Sequence, residues 1–218
     1  MSPEANDNAL IPVGELGAVK YDDETFDKIA ASKYLARIQL MTSNSKPCKG
    51  GEFPTNHYAF VRGKTNTDMT AEVNVLVIAW RPAAIRMDNS VMAFYDTENP
   101  EFKKIVDEAD EKDSGCMFGP EFLCYVPSLK DFGIFFMGSK SSRNESPSMK
   151  ALIGKSATLR VQKLSNKKYE WFSPQVVPCS TPFEIPEMDL IKEQVEKFNN
   201  PPVNDVETVD GDDSERAR

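Results

Sequence analysis

Phe132-Gly133-Ile134-Phe135-Phe136-Met137 opens the stretch whose reading decides the fold, and Lys168-Tyr169-Glu170-Trp171-Phe172 stands close to its end at Pro178. Between them, Ser146-Pro147 has the form of a helix start, Met149, Leu152 and Ile153 make a short apolar stripe, and Gly154 is the expected stop. Ser156 to Leu164 then alternates, with Ala157, Leu159 and Val161 facing one way and Arg160 and Gln162 the other, which is the period of a half-buried strand. Ser165-Asn166-Lys167 turns the chain into a second strand, Lys168 to Val177, where Pro174 marks an edge or a bulge. The order is strand, short helix, strand, strand, with bases and aromatics interleaved.

The preceding half of the chain reads as more short strands. Tyr34 to Leu40 alternates, and His57 to Arg62 and Val91 to Tyr95 are brief β segments. Thr70 to Trp80 is the strongest: Val73, Val75, Val77 and Ala79 line one face, Asn74, Leu76, Ile78 and Trp80 the other, and Pro82 is expected to interrupt the ladder. Ser43 to Pro54 and Gly63 to Asp68 read as loops. Asn99-Pro100 opens a helix whose Phe102, Ile105, Val106 and Ala109 fall on one face, followed by strands at Glu121 to Val126 and Phe132 to Met137. Pro186 starts a last helix with a stripe of Met188, Ile191, Val195 and Phe198. These elements predict a mainly β protein, a β-barrel of OB-fold-like character with two or three short peripheral helices. The expected divisions are an acidic N-terminal arm at 1–33 with a short helix at Asp22 to Ala31, an OB-like domain at 34–180, a peripheral helix at 181–200 and a disordered acidic tail at 201–218.

Charge is segregated along these divisions. The 218 residues carry a net charge of -8, yet residues 115–180 hold nine bases against four acids, and residues 181–218 eleven acids against four bases. A basic body with acidic ends suits a polyanion-binding domain with an acidic tail. No apolar run approaches the length of a membrane span, and Met1-Ser2-Pro3-Glu4 does not read as a secretory start. Cys48, Cys116, Cys124 and Cys179 are too scattered for a disulfide framework, so a reducing, cytoplasmic setting (host cytoplasm for a viral protein) is expected.

Enzyme motifs are weak. The one histidine, His57, sits in a predicted strand without a nucleophile motif around it. Gly63-Lys64-Thr65 and Gly154-Lys155-Ser156 resemble the end of a phosphate loop, but the glycine required five residues earlier is Tyr58 in one and Met149 in the other. The cysteines lack zinc-ligand spacing. We therefore expect a non-enzymatic chain without catalytic residues, metal ligands or a cofactor. A metal-dependent nuclease using carboxylates such as Glu72, Asp88 or Asp96 is a distant alternative, and a viral structural or protein-interaction protein a nearer one.

The positive evidence points to nucleic acid. Lys140, Arg143, Lys150, Lys155, Arg160, Lys163, Lys167 and Lys168 fall within 29 residues, opposed only by Glu145. Aromatic residues accompany them: Phe135, Phe136, Tyr169, Trp171 and Phe172, with Trp80 and Arg81 from the earlier strand. Lysine and arginine neutralise phosphates, and exposed rings stack bases of a single strand. The expected contacts are Lys140, Arg143, Lys155, Arg160, Lys163, Lys168 and Arg81 for the backbone, and Trp171, Tyr169, Phe136 and Trp80 for stacking.

In this layout the chain resembles the acidic-tailed, OB-fold single-stranded DNA-binding proteins of bacteriophages. The likeness covers roughly residues 34–180 plus the tail Asp210-Gly211-Asp212-Asp213-Ser214-Glu215. It implies a protein that coats and protects single-stranded DNA in replication or recombination, with the tail recruiting replication or recombination proteins. Many such tails end in an aromatic or apolar residue, whereas this one ends Arg216-Ala217-Arg218.

Overall fold

The computed structural model describes residues 35–87, 91–111 and 114–201. The expected arm at 1–33 with its helix, the carboxylate Asp88 and the acidic tail beyond Pro201 lie outside the described residues. Among those described, the protein is mainly β. Its strands are β1 (Ala36–Met41), β2 (His57–Arg62), β3 (Thr65–Asp68), β4 (Glu72–Met87), β5 (Val91–Phe94), β6 (Cys116–Val126), β7 (Asp131–Phe136), β8 (Ser156–Ser165) and β9 (Glu170–Pro178). Four helices join them: α1 (Lys46–Lys49), α2 (Pro100–Glu108), α3 (Lys140–Lys150) and α4 (Met188–Asn199). No helix among the described residues is long and apolar enough to cross a membrane.

The strands form one sheet in the order β3-β2-β1-β7-β6-β4-β8-β9, with β5 added to β4. Every pairing is antiparallel except β1 with β7. The path is open, with ends at β3 and β9; β7 has both edges occupied, by β6 and by β1, so the ladder runs on to the N-terminal hairpin. The sheet nevertheless folds back on itself. The Tyr58 amide donates to the Thr70 carbonyl at 2.8 Å, and the Tyr58 hydroxyl donates to the Arg160 carbonyl at 3.1 Å, bringing β2 against the start of β4 and against β8. The curl encloses the main core, in which Tyr58, Val75, Val77, Phe122, Phe135 and Leu159 are buried with Met149 of α3.

β4 organises this arrangement, and it differs from its sequence reading in two ways. It runs straight through Pro82, which lies opposite Pro120 in the β4–β6 register. The Pro120 carbonyl accepts from the Met137 amide at 3.0 Å and so faces away from β4; at such a pair neither proline nitrogen is asked to donate across the ladder. The register also slips between Val77 and Ala79, leaving Ile78 as the extra residue of a bulge. The slip reverses the expected alternation. Ala79 packs beside Leu76 on the second core, Trp80 pairs with Phe122 on the main-core side, and Arg81 turns the other way.

That second core lies on the outer face of β4, β6 and β7, where Leu76, Leu123, Tyr125, Phe132 and Ile134 are covered by Ile191, Val195 and Phe198 of α4. At its margin Arg81 donates from Nε and Nη2 to Glu121 Oε2, at 2.9 and 2.8 Å, and from Nη1 to the Phe198 carbonyl. The guanidinium carbon stands 3.6 Å from the Tyr95 ring centroid and 4.3 Å from that of Phe198.

Three further elements depart from the sequence reading. The stretch Gly63 to Asp68 contains β3, whose residues are all exposed and so show no apolar period. The loop Ser43 to Pro54 holds the single turn α1. α3 starts six residues before Ser146, where the Ser139 side chain accepts from the Ser142 amide at 3.2 Å, and it carries Pro147 inside it. By contrast, Asn99 caps α2 as expected, accepting from the Glu101 amide at 2.9 Å, and Pro174 lies on an edge strand. Beside Pro174, Glu145 of α3 accepts from the outward Val176 amide at 3.2 Å.

Two outcomes follow for stability. Arg81→Ala leaves the fully buried Glu121 carboxylate unpaired, and urea unfolding should show a loss of about 3–5 kcal/mol. Burial pushes the Tyr58 hydroxyl and the Cys124 thiol well above their ordinary values of 10.0 and 9.0. The folded chain keeps these protons where the unfolded chain releases them, so unfolding free energy should fall as pH rises past 9.0 to 10.0. Tyr58→Phe should flatten that alkaline slope.

Candidate nucleic-acid interface

The β8–β9 hairpin is paired from Ala157 opposite Pro178 to Ser165 opposite Glu170. β4 accompanies β8 only as far as Glu72 opposite Arg160; beyond that, the Val161 amide donates to the Ala71 carbonyl at 3.1 Å. The distal hairpin therefore projects past the sheet. Its tip is held by one side chain: Asn166 Oδ1 accepts from the amides of Lys168 and Tyr169, both at 2.8 Å, while the Asn166 amide donates to the Tyr169 carbonyl at 2.9 Å. This is the Asx turn that asparagine forms readily, and it fixes the backbone from which Lys168 and Tyr169 emerge.

The projecting segment brings together four of the expected contacts. Tyr169 is 69% exposed and Trp171 37%, with exposed Lys163 and Lys168 beside them and Lys167 added at the tip. The pleat separates them by face. Leu159 and Val161 pack on the main core, so Gln162 and Leu164, with their partners Ser173 and Trp171, lie on the opposite side together with Arg160. Phe172, half-buried opposite Lys163, continues the core side.

The other expected bases are in differing states. Lys140, in the first turn of α3, and Lys155, just before β8, are exposed and have no ion pair among the described residues. Arg160 is exposed and pairs with Glu72, from Nε at 2.8 Å and Nη2 at 3.3 Å; Lys163 Nζ stands 2.7 Å from Glu170 Oε2. Two arginines are committed to the fold. Arg81 is buried in the Glu121 pair. Arg143 donates to the carbonyls of Gly138 at 2.7 Å and Phe118 at 3.2 Å and to Asp110 at 2.7 Å, with its guanidinium carbon 4.1 Å from the Phe118 ring centroid. Each has three of its five N–H groups committed to these bonds, and each guanidinium is largely enclosed.

The aromatic set is not one platform. Trp80 is 42% exposed, but it lies on the main-core side and twelve residues of ladder from Trp171, roughly 40 Å of strand at ~3.3 Å per residue. One face of its indole carries Lys150, whose Nζ is 3.5 Å from the ring centroid. Phe136 is half-buried and lies so close over Gly138 that any side chain there would collide with its ring. Stacking residues accessible on one surface are thus Tyr169 and Trp171. Lys150 and Asn166 were not among the expected contacts. An asparagine opening a turn three residues before an aromatic was the available signal for the second.

The residues weighed for other chemistry are dispersed. His57 Nδ1 lies 2.9 Å from Asp68 Oδ1 at the edge of the sheet. Glu72 is held by Arg160, and Asp96 accepts from the Glu98 amide at 2.9 Å. Among the described residues no group of three or more His, Cys, Asp or Glu side chains could hold a metal ion.

The tip geometry makes a prediction independent of any ligand. Asn166→Ala should speed amide hydrogen exchange at Lys168 and Tyr169 markedly, while global stability changes by no more than about 1 kcal/mol. The chain shows no significant match to a family model, a curated protein or a solved structure.

Proposed function

We propose that this chain is a non-enzymatic single-stranded DNA-binding protein that coats and protects exposed strands in replication or recombination, and that the β8–β9 hairpin is its principal contact. The observation that carries the reading is the pair of exposed rings, Tyr169 and Trp171, on a projecting hairpin with Lys163, Lys167 and Lys168. Rings in that setting stack bases of any sequence, while the lysines neutralise phosphates.

The strand neighbourhood supports an OB-like assignment. β7-β6-β4-β8-β9, with α3 between β7 and β8, has the adjacency of a five-stranded OB barrel, and in that correspondence the β8–β9 turn is the loop between its last two strands, one of the two that bind oligonucleotides. β1 occupies the edge of β7 through which such a barrel would close. α4 covers the outer face of β6 and β7, which leaves the hairpin as the accessible part of the binding region. In this reading the protein works in the cytoplasm, and the acidic tail at 201–218 recruits replication or recombination partners.

One observation favours a second reading, a protein-interaction module: Ile185, Met188 and Leu190, at the start of α4 and just before it, are exposed. Fluorescence anisotropy with labelled oligo-dT separates the two. Wild type should bind at about 50 mM salt, lose affinity steeply by about 200 mM and leave the strand uncleaved with Mg²⁺. Trp171→Ala and Tyr169→Ala should each cost ~1–3 kcal/mol. Absence of binding at low salt would overturn the DNA reading and favour the interaction module.

A further inference from the structure

We infer that the start of α4 docks on the Trp80 surface of a second copy of this chain, head to tail. The contact needs no DNA and stands apart from the reading of the hairpin.

Outside the hairpin the protein carries two exposed apolar surfaces, and they bear opposite charge. At the start of α4, Ile185 is 62% exposed and Met188 63%, among exposed Glu184, Glu187 and Asp189 with no base between them. Lys192 answers Asp189 at 3.0 Å, while Glu184 and Glu187 have no ion pair among the described residues. The second surface surrounds Trp80, which is 42% exposed although Lys150 Nζ stands 3.5 Å from its ring centroid. The turn after α3 lies against β4 just before it. There the Lys150 carbonyl accepts from the Ile153 amide at 3.3 Å, and the Gly154 amide donates to the Val77 carbonyl at 2.7 Å. Ile153 and Lys155 on that turn are exposed, and neither Lys150 nor Lys155 has an ion pair among the described residues.

The chemistry of one surface fits the other. A methionine thioether packs well against an aromatic ring, and free carboxylates beside it meet free ammonium groups. The two surfaces lie on opposite faces of the sheet, α4 on the outer face and Trp80 on the main-core side, so they do not satisfy each other within one chain. Pairing like with like would set acids against acids or lysines against lysines, which is repulsive. A single partner cannot cover both faces, so each copy meets two neighbours, and the association is open-ended rather than a closed dimer. Few side chains take part, which makes the contact small and weak.

Sedimentation velocity of the full chain, without DNA, tests this. At about 50 mM salt the weight-average sedimentation coefficient of wild type should rise with protein concentration, and it should rise less at about 0.5 M. The double variant Ile185→Ser/Met188→Ser and the variant Lys150→Glu should each weaken association at least ~10-fold, with wild-type urea midpoints. An equimolar mixture of the two should regain association and stop at pairs, because the intact α4 of one still meets the intact Trp80 surface of the other. Wild type that stays monomeric over the whole range would overturn the inference. So would association of either variant at wild-type strength, or a mixture no more associated than its separate components when both retain the wild-type midpoint. Oligo-dT anisotropy reports on the DNA reading separately, and none of these outcomes alters it.

Discussion

A one-residue slip in β4 sets much of what this molecule presents to its surroundings. β4 pairs with β8 from Glu72 to Leu76, with β6 from Leu76 to Arg86 and with β5 from Ala84 to Met87, and Ile78 is the residue inserted in the β6 ladder just after the pairing with β8 ends. Before the bulge, Val73, Val75 and Val77 fill the main core; after it, the same parity would have sent Trp80 under α4 and Arg81 into the curl. The reversal puts an arginine where a carboxylate, two rings and a helix carbonyl can receive it, and a tryptophan at the margin of the main core. A charged side chain is costly to bury without such a set of partners. The last helix is therefore tied to the sheet by the same irregularity that moves Trp80 away from the hairpin surface.

The arginines and lysines show how burial sorts residues that look alike in sequence. Arg81, Arg143, Arg160 and Lys163 all read as phosphate contacts. Arg81 and Arg143 are enclosed, with donors directed to carbonyls, carboxylates and ring faces, and these bonds secure helix to sheet. Arg160 and Lys163 face solvent in pairs that water screens. Lys167 and Lys168 at the hairpin tip are exposed and have no ion pair among the described residues. A basic run in a sequence thus contains both fasteners and contacts, and the division depends on which other strand happens to lie alongside.

What could be seen from the sequence was whatever depends on local pattern. The alternation in Ser156 to Leu164, the asparagine cap before Pro100 and the stripe from Ile191 to Phe198 each appear as expected, whereas Met188, read as the start of that stripe, is exposed. β3 was hidden because Thr65 to Asp68 is exposed on both faces and has no apolar residue to set a period. The early start of α3 was hidden because its first turns are polar and its proline stands where a helix would be expected to begin, not continue. The bulge at Ile78 had no visible sign among a run of β-branched and apolar residues, and one missed residue there was enough to place two site residues on the wrong faces. The exposure of Tyr169 and Trp171 was foreseeable from alternation about Phe172; the separation of Trp80 from them was a matter of long-range register.

An open sheet has to end somewhere, and the manner of its ending at β9 has a consequence for crowded conditions. Along that strand Pro174 has no amide hydrogen to offer, and the Val176 amide is already taken by Glu145. Two copies packed side by side find no continuous row of donors with which to fuse their sheets. Neighbours on that side can meet through side chains and separate again, so dense local packing favours reversible association over fibrillar growth.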